Sequence, residues 1–343
     1  VTEKKENILT PPIDRNTAGK IRCVGIEIEF AEVSSKQAAE LIQICFGGNV
    51  EASNSSFVFS VSDTRWGDFR VELDTRFAHP ERDFGDVLED SGLPVSDEGL
   101  REVHKVDAQV REWIGKASSS VVPTEIVSPP IPWNELGDLD ELIEGLRARG
   151  AKGTDDSPVY GFGVHLNPEV ASESVDHVLS ILRAYILLSD WLREQIQVNA
   201  TRRILPHIDP FPKKYAVMIL ARDYAPDLET LITDYFSMNP TRNRELDMLP
   251  LFKHLAPDTL ADLTTDERIK ARPTLHYRLP DTRLSDPDWT ISQEWNRWVV
   301  VERLASDKEK LRRLSDRYLE TADNPVSAWL KEVSVWLENL ASP

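Results

Sequence analysis

Gly25-Ile26-Glu27-Ile28-Glu29-Phe30, at the centre of the segment IRCVGIEIEFA (residues 21–31), alternates apolar and acidic side chains. Alternation with a period of two is the pattern of a β-strand with two unlike faces. Ile26, Ile28 and Phe30 then share the core face, and Glu27 and Glu29 the other. Their side chains start roughly 7 Å apart. Two carboxylates at that spacing can serve adjacent sides of a cation cluster. A solvated strand edge would give the same pattern, so other segments must decide between the two.

Four further segments repeat the design. Val71-Glu-Leu-Asp74 sets Glu72 and Asp74 two apart, and Pro123-Thr-Glu-Ile-Val-Ser-Pro-Pro130 carries Glu125 as its only acid. In Gly161-Phe-Gly-Val-His-Leu-Asn167, His165 and Asn167 share a face, with Gly161 and Gly163 allowing close backbone approach. In Arg272-Pro-Thr-Leu-His-Tyr-Arg-Leu-Pro-Asp281, His276 and Arg278 oppose Leu275, Tyr277 and Leu279. Each polar face alone has an ordinary explanation as exposed surface. If the strands form one curved sheet, however, the polar groups line one concave surface. Carboxylates and imidazole would hold Mg²⁺ or Mn²⁺ there, and arginines would meet phosphate oxygens.

Around these strands, Ser34 caps a helix to about Phe46, stopped by Gly47-Gly48. Residues 57–62 and 69–75 read as a hairpin turning through Asp63–Asp68, and 122–128 and 159–167 as strands. Helices are expected over 97–116, 134–150, 172–198, 226–236 and 242–255. Residues 204–226 read as Pro-broken, 273–280 as a strand, and the chain as helical beyond 286. Strands and helices do not alternate strictly. The expected class is α+β: a curved, largely antiparallel sheet with helices on one face, plus C-terminal helices. The expected division is a flexible lead-in (1–20), a catalytic domain (21–283) and a C-terminal helical extension (284–343). Trp329 and Trp336 fall on one face of that extension, either as packing or as a homo-oligomer contact.

The chain has 343 residues and a net charge of −18, the wrong sign for gripping nucleic acid. Two cysteines, Cys23 and Cys45, form no disulfide framework. The longest apolar run, Val178–Leu188, is broken by Arg183, so no membrane partner is expected. The N-terminal residues do not read as a secretory leader, and a cytoplasmic, reducing location is expected. There is no GxxxxGK[ST] and no GxGxxG after a strand, so a nucleotide would have to be held by sheet and metal.

Four motifs, in order, resemble the amidoligase branch of the glutamine-synthetase and glutamate–cysteine ligase superfamily. GIEIEF is similar to its opening metal strand, TEIVSPP to its E-[LI]-V-S-P-P segment, YGFGVHLN to its Gly-rich histidine strand and LHYRLPD to its late arginine strand. The likeness spans residues 21–283. It implies an ATP- and Mg²⁺- (or Mn²⁺-) dependent carboxylate–amine ligase acting on small-molecule, peptide or protein substrates. By the same resemblance, Glu27, Glu29, Asp74, Glu125, His165 and His276 would be metal ligands, with Glu72 competing for the place of Asp74. His165, Asn167, Arg202, Arg203 and Arg278 would face the nucleotide, with Arg278 and Glu125 catalytic. Lys213, Lys214, Arg242 and Arg244 are weaker anion candidates. His276 departs from the family pattern, which has a glutamate there. A non-catalytic binding relative and a metal-dependent hydrolase therefore stand as alternatives.

Overall fold

The computed structural model describes residues 8–53, 57–73, 122–157, 160–198, 202 and 208–321. Its centre is strand β1 (Cys23–Phe30), the alternating segment that opens the sequence analysis. The other strands are β2 (Asn49–Ala52), β3 (Phe59–Thr64), β4 (Gly67–Leu73), β5 (Thr124–Val127), β6 (Ile131–Pro132), β7 (Val164–Pro168), β8 (Leu246–Asp247) and β9 (His276–Tyr277). They form one curved, open, antiparallel sheet in the order β2-β3-β4-β5-β1-β7-β9-β8, with β6 paired to the start of β1.

Register turns the alternation of each strand into two continuous faces. Val71 lies opposite Ile126, Ile126 opposite Ile28, and Ile28 opposite Val164. Next to that rung run Ile26, Leu166, Tyr277 and Leu246. All of these are at most 1% exposed, so this face is the floor of the core. Burial of that apolar surface is the main force closing the sheet onto its helices.

Helix α1 (Ser35–Phe46) begins at a reciprocal cap, with Gln37 N–H donating to Ser34 Oγ and Ser34 N–H to Gln37 Oε1. It ends at Gly47 and Gly48, both at positive φ; a Cβ at Gly48 would sit 2.4 Å from the Ser62 carbonyl. Phe46 stacks on Phe69, which docks α1 on β3 and β4. Helix α2 (Leu139–Ala148) follows a 3₁₀ turn over Trp133–Asp138. The long helix α3 (Val175–Ile196) covers the β7–β9 side, where Tyr185 meets Tyr277 edge-on at 5.7 Å. Arg183 sits within its apolar run because its guanidinium serves carbonyls of Ile219, Ala221 and Tyr224, closing the end of α4 (Lys213–Leu220). Helices α5 (Leu228–Met238), α6 (Leu249–Leu255), α7 (Pro257–Leu263), α8 (Ile291–Ser306) and α9 (Lys308–Thr321) complete the fold.

Helices α8 and α9 share the core with the sheet. Trp295, Trp298, Val299 and Val301 are fully buried, and the Arg22 guanidinium forms a buried pair with Glu302 at 2.5 and 2.9 Å. From Ile8 onward, the expected flexible lead-in lies against α8: Leu9 N–H donates to Asn296 and the Trp295 indole to the Leu9 carbonyl.

Several expectations are corrected. The β3–β4 hairpin turns on Arg65-Trp66 alone, with most of Asp63–Asp68 inside the strands. Strand β2 went unread because its NVEA sequence is four residues long and mostly exposed, with only Val50 half-buried against the core. The segment read as Pro-broken contains α4, which starts directly after Pro212. Residues 242–255 are not one helix: β8 precedes a helix that starts only at Leu249, with Pro250 in its first turn. The late strand is two residues long, continued by isolated bridges from Asp281 to Gly163 and from Thr274 to Glu169. The expected helix over 97–116, and Trp329 and Trp336, lie outside the described residues.

Candidate functional site

The second face of the sheet carries the chemistry, and the same register arranges it. One row runs Glu72, Glu125, Glu29 across β4, β5 and β1. The neighbouring row runs Arg70, Val127, Glu27, His165 from β4 to β7. Asn167 stands opposite Gly25, and His276 on β9 opposite Asp247 on β8. The face is not solvated: Glu27, Glu29, Glu125, His165, Asn167 and His276 are each 3–7% exposed. Buried charged and polar groups require partners, and these supply them to one another.

Glu27 is the hub. Its Oε2 accepts from His165 Nδ1 at 2.9 Å and its Oε1 from Asn167 Nδ2 at 3.2 Å. Arg272 approaches Oε1 at 3.6 Å. Asn167 Oδ1 in turn accepts from His276 Nδ1 at 2.5 Å. The proton positions follow from chemistry, because a carboxylate only accepts. His165 must therefore carry its proton on Nδ1, and Asn167 must turn its amide toward Glu27. That leaves Asn167 Oδ1 for a proton on His276 Nδ1. His276, a neutral ring, consequently presents an unprotonated Nε2. The two rings meet edge to face, with centroids 5.1 Å apart. His276 Nε2 is buried and has no hydrogen-bond partner among the described residues.

Electrostatics agree with this arrangement. Burial would push the Glu27 carboxyl up, but the hydrogen bond from His165 and the Arg278 guanidinium more than offset it and hold Glu27 well below the usual carboxylate range. Burial, reinforced by Arg278, pushes His276 well below the usual histidine range, so the ring is neutral. Glu29 Oε2 accepts the Gly163 N–H at 2.8 Å. Two ligand-like groups result, each with atoms within 4.8 Å of one another: Glu27, His165 and His276, and Glu29, Glu125 and His165. His165 belongs to both.

The basic residues divide by role. Arg202 is a clamp: Nη1 donates to the Leu279 and Pro280 carbonyls and to Asp281 Oδ1, and Nη2 to the Arg278 carbonyl. It fixes the segment 278–281 that follows β9, and it crosses so close to Gly163 that a Cβ there would lie 2.7 Å from Nη2. Arg278 reaches Asp247 Oδ2 at 3.3 Å and leaves its buried Nε without an acceptor among the described residues. Arg244 is tied to Asn239 and the Pro210 carbonyl, and Lys213 and Lys214 are exposed. Asp74 and Arg203 lie outside the described residues. Glu72 stands at its row position, paired with Arg70.

Sequence reasoning missed Asp247 altogether and ranked Arg242 low. Asp247 was hidden inside an assumed helix, although Pro250 was the available signal that the helix begins later. Burial pushes its carboxyl up, and Arg278 opposes this. Arg242 is partly buried, within electrostatic range of Arg278, Asp247 and Asp266, with no hydrogen bond or ion pair among the described residues. Burial and the neighbouring Arg278 both disfavour its charge.

No helix among the described residues is long and apolar enough to cross a membrane. The comparisons with curated proteins and with solved structures returned no match. One family model, described as "Putative amidoligase enzyme", matches residues 20–300, which includes every strand of the sheet and most of α8. The chain therefore belongs to the amidoligase family, whose name denotes ligases that form amide bonds.

Proposed function

We propose that this chain is an ATP-dependent carboxylate–amine ligase that uses Mg²⁺ or Mn²⁺ and passes through an acyl phosphate. The observation that carries the reading is the convergence of Glu27, Glu29, Glu125, His165 and His276 on one buried patch inside the span matched by the family model. The donor set fits cations: the His165 ring stands beside the carboxylates of Glu29 and Glu125, and His276 carries a buried Nε2 without a partner among the described residues. Glu29, Glu125 and His165 would hold an ion, with Glu27 fixing the His165 ring through its other nitrogen. Such ions supply neutralisation of the β- and γ-phosphates of ATP.

The protein's own part is positioning and exclusion of water. A carboxylate is a poor electrophile, so its oxygen first attacks the γ-phosphorus, giving an acyl phosphate and ADP. A neutral amine then attacks the acyl carbon, phosphate leaves, and the amine proton passes to a base. Arg278 and Arg242 would hold anionic oxygens, because both carry buried N–H groups that lack acceptors among the described residues. The low exposure of Glu29 and Glu125 would keep water from the acyl phosphate.

The test is ADP release over a panel of carboxylate and amine pairs, with the Glu29→Gln variant alongside. Glutamine keeps an acceptor for the Gly163 N–H but removes the charge. ADP release should require both substrates and fall by at least about 100-fold in the variant. Product formed without ATP would favour hydrolysis instead, and undiminished turnover in the variant would remove this face from the chemistry.

A further inference from the structure

Tyr277 of β9 points to the core side of the sheet, away from the candidate site, and meets a second set of polar groups there. Its ring contacts Tyr185 of α3 edge to face, with centroids 5.7 Å apart. On one flank stands Glu245, the residue before β8. It accepts from Ser189 Oγ at 2.5 Å and pairs with Arg193 at 2.5 Å. On the other flank, Glu294 of α8 accepts from the Trp289 indole at 2.9 Å and from Arg297. Tyr277 lies within electrostatic range of both carboxylates, and the Tyr185 hydroxyl lies beside that of Glu245. Tyr185, Tyr277, Glu245 and Glu294 are fully buried. Five buried atoms of this set lack a hydrogen-bond partner among the described residues: both phenol oxygens, Arg193 Nε, Glu294 Oε2 and Glu245 Oε2, which has only its ion pair.

Polar atoms this deeply buried require partners. The two hydroxyls and Arg193 Nε–H are donors, and the two carboxylate oxygens are acceptors, so an occupant must both donate and accept. Two guanidiniums balance two carboxylates, so the lining favours neither a cation nor an anion. A small, neutral molecule that donates and accepts is water. One buried water makes about 2–4 hydrogen bonds, so five atoms call for at least about two waters. We propose that the seam between α3, β9 and α8 is a buried hydration site, where waters bridge Tyr277 to Glu294 and Tyr185 to Glu245 and so join α8 to the back of the sheet. The Arg193 and Arg297 side chains, 17% and 21% exposed, mark where solvent enters. The site lies on the face opposite the carboxylate row and does not depend on the ligase reading. It backs the functional face all the same, because the Glu245 carbonyl accepts the Arg278 N–H at 2.9 Å.

The experiment uses the full chain and the sign of a conservative substitution. Tyr277→Phe and Tyr185→Phe each remove one hydroxyl and keep the ring. In a hydrated seam each loses a bridged hydrogen bond, and the melting temperature should fall by about 2–4 °C. In a dry seam each removes an unsatisfied polar atom, so an unchanged or higher melting temperature would overturn the proposal. The unaltered protein is read separately. Magnetic relaxation dispersion of the water signal detects long-lived internal waters, and high-resolution crystallography locates them. Solvent density within hydrogen-bonding distance of both Tyr277 Oη and Glu294 Oε2 is expected, and the relaxation amplitude should fall in Tyr277→Phe. A direct Tyr277–Glu294 hydrogen bond, or no density beside the two phenols, would equally overturn the proposal. Should a variant fail to fold, the readings on the unaltered chain still decide.

Discussion

At the scale of single residues, the site is a set of groups that would be costly apart. His276 is neutral because burial and Arg278 oppose its charge, and this makes folding sensitive to acid. Its folded pKa lies below the unfolded value near 6.5, so the unfolded chain binds the proton first as pH falls. The contribution of His276 to stability is therefore complete above about pH 6.5 and is lost progressively below it, down to the folded pKa. In chelator-treated protein, the melting temperature should drop between about pH 7.5 and about pH 5.5, and His276→Gln should flatten that part of the slope. An identical slope in the variant would assign the acid sensitivity elsewhere.

Arg242 makes the opposite argument. A partly buried guanidinium with no partner among the described residues is a liability in the empty protein. Arg242→Leu should raise the melting temperature of unliganded protein while weakening its response to ATP or a carboxylate substrate in thermal shift. A fall in stability with no change in ligand response would make Arg242 an ordinary structural residue.

At the scale of elements, how legible the fold is depends on the length of each pattern. Strand β1 and helices α1 and α3 were readable because six or more residues repeat their period, and for α1 Ser34 and Gly47 also mark clear stops. Strands β8 and β9 have two residues each, too short for any period, and they are strands only because Leu246 and Tyr277 find each other across the sheet. Asp247 was lost for that reason. The site residues on β1, β5 and β7 were legible, and His276 too, since polar groups stood on otherwise apolar segments. The hydrogen-bond order Glu27–Asn167–His276 was not, because register sets it rather than spacing.

Two substitutions test the elements. Ser34→Ala removes the cap of α1 and should cost about 1 kcal/mol in denaturant unfolding. Gly163→Ala forces a methyl group against Arg202 and His165 Nε2, with contacts of 2.7 and 3.1 Å. It should destabilise by about 1–3 kcal/mol and weaken metal binding as well. Full metal affinity in that variant would mean that β7 can give way without disturbing His165.

At the scale of the whole molecule, the C-terminal helices are part of the body that holds the site. Arg22, next to β1, is locked to Glu302 on α8, and the Trp298 indole donates to the same carboxylate at 2.8 Å. Removing one member strands a buried charge. Glu302→Ala should therefore cost about 3–5 kcal/mol in equilibrium unfolding, whereas an exposed pair such as Lys36–Glu40 should contribute little. A cost below about 1 kcal/mol would show that water reaches Arg22 and replaces the partner.

The ring of His165 has only one lone pair to give, since its other nitrogen is spent on Glu27. Two ions arriving at this face cannot both own it. An ion that takes that pair would sit beside Glu29 and Glu125, on the far side of the ring from Glu27. A second cation on this face would then have to be held without that ring.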